Sequence, residues 1–449
     1  MSHIPTPSTL ITAIRAREIL DARGIPTLEV EVVLENGAFG RAAVPTGTST
    51  GRHEALELRD GDPGRFSGMG VLNAVDHVHR QLFEAVQDLD ALDQAGLDLA
   101  MCEVDGTDNK GRMGANAIIA VSMATARAAA ASLGLPLYRY LGGIDARTLP
   151  VPMCNLINGG LPVDGTVDFQ EFMILPVGAP TFREGVREVA EIFHALKSLL
   201  IRKGHHTGVG DEGGYCPFVG SHKEALDLIL EAIALAGFST GAPAGGPQIL
   251  LAIDAAASEL RQQARLEGKT GYKFWRSSGP LLDSERMAEF WVNLIEEYPM
   301  IFSLEDPMAE DDQAGWQLLT RALGQRIQLV GDDVFSTNAR LLEEGITHHI
   351  ANAILIKPNQ IGTLTETIDT VSVARDRGYD CIVSHRSGET EDTFISDLVV
   401  ALGTGQMKIG APARSDRVAK YNQLLRIEEE LGSSARYFGR SILRSYALK

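Results

Sequence analysis

Eight short, almost wholly apolar runs recur across the last two-thirds of this chain, at 152–157, 169–175, 249–253, 301–304, 327–330, 353–356, 381–383 and 407–409, with helical patterns between them. Runs of this kind are what strands look like when helices cover both faces, because neither face meets water. Eight of them within roughly 300 residues are the content of a (β/α)8 barrel with parallel strands. An α/β barrel is therefore the expected fold, over residues 149–449.

Residues 1–148 read differently. Leu28-Glu29-Val30-Glu31-Val32 alternates strictly between apolar and charged, as a strand with one solvated face does. Segments 69–92 and 115–133 then carry helical spacing or a high alanine content, and Gly134-Leu135-Pro136 ends the second. An α+β domain is expected to precede the barrel. At the other end, apolar residues at helical spacing over 415–431, followed by Gly432, predict a closing helix of structural role. Residues 241–247, all Gly, Ala or Pro, read as a surface loop.

A net charge of −18 over 449 residues repels phosphodiester backbones and acidic membranes, which excludes nucleic acid and membrane surfaces as expected partners. A small anionic substrate remains compatible, provided that divalent metal or a local Lys/Arg cluster inverts the potential inside the site. Cys102, Cys154, Cys216 and Cys381 form no C-x-x-C pair, so reduced thiols are expected. No targeting pattern opens the chain, and the most apolar helical stretch carries Arg127. Those features predict a cytoplasmic protein.

The ends of the apolar runs are more informative than the runs. Six successive runs stop at Asp254, Glu305, Asp332, Lys357, His385-Arg386 and Lys408. In a parallel barrel such ends converge on one rim, where barrel enzymes place their sites. Asp254, Glu305 and Asp332 supply three hard oxygen ligands suited to Mg2+. Lys357, next in order, is expected to have a depressed pKa beside a divalent cation and so to accept a proton. Glu310-Asp311-Asp312, in contrast, reads as a solvated acidic loop.

Gly208-Val209-Gly210-Asp211-Glu212-Gly213 matches G-x-G-x-x-G, yet Arg202-Lys203-Gly204-His205-His206 precedes it where a strand should be, so a dinucleotide site is rejected. Gly210, Gly213 and Gly214 still free the backbone to bring Glu212 close to a ligand, and Glu212 is a candidate acid. The hydroxyl-rich segment 46–51 is either a turn or a lid over an anion.

Together these segments resemble the enolase family from Asp21-Ala22-Arg23-Gly24 to the 415–423 helix. The likeness is carried by Val209-Gly210-Asp211-Glu212-Gly213-Gly214, Leu304-Glu305-Asp306-Pro307, Gly331-Asp332-Asp333, Ile356-Lys357-Pro358-Asn359-Gln360 and Ser384-His385-Arg386-Ser387-Gly388-Glu389-Thr390. The resemblance implies an enolase-like (β/α)8 barrel and two Mg2+ per subunit, the first on Asp254, Glu305 and Asp332 and the second gripped at Thr46. It implies that Lys357 removes a proton beside the substrate carboxylate and that Glu212, supported by Glu171, protonates the departing hydroxyl. Gln170, Arg386, Ser387 and Lys408 would hold carboxylate and phosphate oxygens, with His385 beside the leaving group. A small phosphorylated anion as substrate and a homodimer or larger symmetric assembly follow from the same resemblance.

The chain departs from the family in two loops. Thr46 and Thr48 stand where the first loop usually carries Ser and Ala, and their methyl groups narrow the space around a phosphate. Leu161-Pro162 replaces an acidic or small polar residue followed by His, which turns a hydrogen-bonding lid apolar. Ala22 and Ile25 also replace the usual Ser and Asn. Three readings stand: dehydration of 2-phosphoglycerate to phosphoenolpyruvate; a specialised relative similar to carboxyphosphonoenolpyruvate synthase of phosphinate-antibiotic pathways; and a non-catalytic binding role, against which the intact acid, base and metal set argues.

Overall fold

The computed structural model describes residues 8–47, 51–160, 167–241, 246–277 and 279–446. Thr48, Leu161, Pro162 and most of the 241–247 segment lie outside the described residues.

Three antiparallel strands, Ile11–Leu20, Pro26–Leu34 and Phe39–Ala43, form the N-terminal sheet. The central strand shows the expected alternation: Leu28, Val30 and Val32 are buried, while Glu29 and Glu31 turn outward to Arg17. The helix Ala115–Ser132 covers the buried face. Gly40 permits that contact, since a Cβ there would run into the backbone of Ala124 and Ala128.

The barrel is closed, with strands Val151–Asn158, Glu171–Leu175, Leu250–Asp254, Ile301–Glu305, Gln328–Gly331, Ala353–Ile356, Asp380–Ser384 and Gln406–Lys408 in ring order. Each expected apolar run became one of them. The strand directions correct the expectation of an all-parallel barrel: Glu171–Leu175 runs antiparallel to both neighbours. Hairpin-like pairing with the strand before it, at Cys154–Ile174 and Asn158–Glu171, reverses the chain without a helical crossover. This places Glu171 at the start of its strand, level with Asp254 and not at the opposite mouth.

Val151, Met153, Met173, Leu250, Phe302 and Leu355 are among the side chains packed into the barrel interior. The C-terminal segment closes one mouth, where Tyr446 lies edge-on to Phe302 and donates to Asp380 at 2.7 Å. Asp380 begins its strand and His385 follows its end, so His385 faces the other mouth.

The 310–312 segment is not a solvated acidic loop, as its composition predicts. Asp312 is buried, caps the helix Gln313–Leu323 through Gly315 N at 3.1 Å, and accepts from the Tyr272 and Ser284 hydroxyls, each at 2.5 Å. Among the described residues no single helix is long and apolar enough to cross a membrane.

Candidate active site

At the open mouth a narrow cleft of about 30 Å3 is lined by Gln170, Glu212, Asp254, Asp332, Lys357, His385, Arg386, Ser387 and Lys408, with Asp306 and Asp333 beside them. Nine of the twelve site residues expected from the sequence therefore share one cavity. Glu171 and Glu305 sit beneath it, fully buried and bound to Lys408. Thr46 is apart: its hydroxyl donates to Asp21 at 2.6 Å and accepts from Arg23 at 2.7 Å, and its carbonyl accepts from Gly388 N at 2.9 Å.

Lys408 forms the centre of one half. Its ammonium lies 2.8 Å from Asp254 and 2.9 Å from Glu305, and it also bonds Glu171. Burial alone would depress its pKa, but Asp254, Glu171, Glu305 and Glu212 push it well above the ordinary lysine value. Lys408 is a permanent cation. Glu305 is raised well above a normal carboxyl by burial and by Asp254, which marks a cluster with more negative charge than its lysine neutralises.

Lys357 forms the centre of the other half, 2.5 Å from Asp332. Burial lowers its pKa, but Asp332 and Glu305 together hold it above the usual lysine value; the depression expected beside a divalent cation belongs to the metal-loaded site. Gln360 donates to the second oxygen of Asp332 at 3.0 Å, and Thr337 holds the Lys357 backbone N–H at 2.9 Å. Asp306, in the left-handed region at φ 40°, accepts the N–H groups of Asp332 and Asp333 at 2.9 and 3.0 Å and so locks two strand ends together.

Glu171 and Glu212 form an acid pair across which Asn155 reaches, donating at 2.9 Å to the first and 3.3 Å to the second; Asn158 also donates to Glu212 at 3.2 Å. Gly214 makes room for both amides, since a Cβ there would press on their oxygens. Burial against Glu212 raises Glu171 well above its usual range. Glu212 is pushed up by burial but drawn down by Glu171, Lys408, Arg417 and Asn158 together, so the two carboxyls titrate as one coupled pair. The G-x-G-x-x-G match is a loop carrying this acid, as its flanking sequence predicts.

Three contributions escaped the sequence reading. Glu54, from the N-terminal domain, grips Arg386 with both oxygens at 3.0 and 3.3 Å. Asn155 and Asn158 sit inside an apolar run that hides them. Arg417, in the closing helix Ser415–Leu431, contacts His385.

Two family models cover the chain: the enolase N-terminal domain matches residues 11–141, and the enolase C-terminal TIM barrel domain matches residues 146–446. The chain belongs to the enolase family. Membership identifies it as an enolase-family lyase and gives the charged mouth its meaning. The donor set fits the Mg2+ usual in that family: Asp254, Glu305 and Asp332 offer hard oxygens from three adjoining strand ends. Oxygens of Glu171, Asp254 and Glu305 lie within 4.8 Å of one another, as do those of Asp306, Asp332 and Asp333. Asp254 and Asp332 thus fall in separate groups, drawn to Lys408 and Lys357 respectively.

Proposed function

We propose that this protein takes the α-proton from 2-phosphoglycerate, or a close analogue, and eliminates the β-hydroxyl to give phosphoenolpyruvate. One observation carries the reading: in the ring of eight strands, Lys357 and Glu171 stand four strands apart, and Lys357 and Glu212, the partner of Glu171, line one cleft. The metal-ligand carboxylates occupy one arc between them, and His385 and Lys408 occupy the other. A base and an acid on opposite sides are what an anti elimination needs.

A proton beside an ionised carboxylate is barely acidic, because its removal puts a second negative charge on that group. Lys408 supplies fixed positive charge there. Mg2+ held by Asp254, Glu305 and Asp332 would supply the rest as a Lewis acid. With Asp332 engaged in that way, Lys357 would lose the partner that keeps it protonated and could accept the α-proton at Nζ. The electron pair then forms the double bond as the C–O bond to the hydroxyl breaks, and the proton held by the Glu171–Glu212 pair leaves with it as water. Arg386, Ser387 and Gln170 line the cleft wall, where they would face phosphate and carboxylate oxygens.

The departures at Thr46, Thr48, Leu161 and Pro162 support a second reading, in which the same enolpyruvate chemistry acts on a phosphonoformyl-bearing analogue as in carboxyphosphonoenolpyruvate synthase. Proton and phosphorus NMR of 2-phosphoglycerate with Mg2+ in deuterium oxide tests both. Rapid phosphoenolpyruvate formation supports the first; α-proton exchange with little product, or neither, moves the assignment to phosphonoformyl substrates. We further propose a cytoplasmic homo-oligomer, the location on the four free cysteines and the assembly on membership of the family.

A further inference from the structure

Arg417 is fully buried, and its two Nη atoms make four hydrogen bonds. Its Nη1 donates to the Arg386 carbonyl at 2.6 Å, its Nη2 to the Ser387 and Asp211 carbonyls at 2.7 and 3.2 Å, and its Nε lies 2.8 Å from Asp416. One N–H of Nη1 is left, and it points to Nδ1 of His385 at 2.5 Å. A guanidinium has five donors and no acceptor. Nδ1 of His385 must then be the lone-pair nitrogen, and the ring proton must sit on Nε2.

That nitrogen is buried without a hydrogen-bond partner among the described residues. It lies 3.9 Å from Glu171, and a His385 ring nitrogen and one oxygen each of Glu171 and Glu212 fall within 4.8 Å of one another. A buried N–H left unmade costs about 1–3 kcal/mol, so its place in this cleft is reserved for a ligand oxygen. We infer that Arg417 is a positioning residue that fixes His385 as the neutral Nε2–H tautomer, making His385 a hydrogen-bond donor to the departing oxygen and never the base. The inference rests on the elimination proposed above.

The surroundings agree with a neutral ring. Burial, Arg417, Lys408 and Lys357 all disfavour the imidazolium and hold His385 well below the ordinary histidine range. Glu171, 3.9 Å away, and the Ile409 backbone favour a ring proton, and they are outweighed. The opposite tautomer would set an Nδ1–H against the Arg417 donor. Arg417 also holds the Asp211 carbonyl, and so places the loop bearing Glu212 together with His385.

The test is a two-bond proton–nitrogen spectrum of the full-length protein with 15N-labelled histidine and Mg2+, the His385 signal being identified by its loss in His385→Gln. Nδ1 should read as unprotonated and Nε2 as protonated, unchanged over roughly pH 6 to 9. A protonated Nδ1, or a ring that titrates in that range, overturns the inference without recourse to any Arg417 variant. Arg417→Lys, still a donor only, should keep the signature. Arg417→Met should lose it and slow elimination about 10- to 100-fold while α-proton exchange persists. Equal loss of both half-reactions would make Arg417 merely structural and overturn the assignment. If 2-phosphoglycerate is not turned over by the unaltered protein but the tautomer is Nε2–H, the substrate reading fails and the tautomer lock stands.

Discussion

On one side of the barrel mouth Lys408 is held by Glu171, Asp254 and Glu305; on the other, Lys357 meets Asp332 alone, and a lid segment from another domain completes the wall through Glu54 and Arg386. Three carboxylates make a lysine a fixed charge. One carboxylate leaves a lysine whose proton depends on what else that carboxylate binds. The same residue type, at the ends of strands two apart in the ring, thereby meets three carboxylates in one place and one in the other, which is the difference that the proposed roles of anchor and base require.

The comparison breaks most sharply at Lys357. Lys357→Ala should abolish exchange of the substrate α-proton, with a loss of about 10^2- to 10^4-fold in rate, whereas Glu212→Gln should retain exchange and lose elimination. Normal exchange by Lys357→Ala, followed by NMR in deuterium oxide, would refute the base assignment. Lys408→Met should instead act on the fold, because it strands three buried carboxylates. A loss of about 3–5 kcal/mol in denaturant unfolding is expected, and an unchanged midpoint would show that Lys408 is no anchor.

Glu54→Ala sharpens the second half of the contrast. Arg386 loses its two-oxygen grip and keeps only the 3.3 Å bond to Asn359, so KM for the anionic substrate should rise about tenfold, equivalent to ~1.4 kcal/mol, with kcat nearly unchanged. An unaltered KM would mean that the barrel holds Arg386 unaided. The smallest effect lies outside the site. Glu188, on the helix Phe182–Lys203, is 5% exposed with one oxygen unpartnered, and burial raises its pKa from 4.5 to about 7. The native state holds this proton more tightly than the unfolded chain, so the stability it contributes is complete below pH 4.5 and is lost as pH rises to about 7. Glu188→Gln should flatten that decline by about 1 kcal/mol, read as a smaller drop in Tm between acidic and neutral buffer; an equal drop would place the titration elsewhere.

The rim was legible because each barrel strand is an apolar run and each functional charge interrupts the run at its end. Asp254, Glu305, Asp332, Lys357, His385 and Lys408 all announced themselves in that way. The reversal of the second strand was not legible, since an apolar run reads the same in either direction, and it is this reversal that brings Glu171 up beside Asp254. Nor was the pairing of Lys357 with Asp332 at 2.5 Å, which the end of an apolar run does not disclose.

Local pattern by itself determined the barrel, the preceding sheet and helices, and the chemical types around the mouth, because periodicity and strand ends are properties of neighbouring residues. The tertiary structure alone decided which charges pair. Glu54 reaches Arg386 across 332 positions, Lys408 reaches Asp254 across 154, and Arg417 reaches His385 across 32, from a helix whose spacing says only that one face is buried. Coulomb energy and hydrogen-bond direction depend on distance in space, and over such separations only the closed barrel sets that distance.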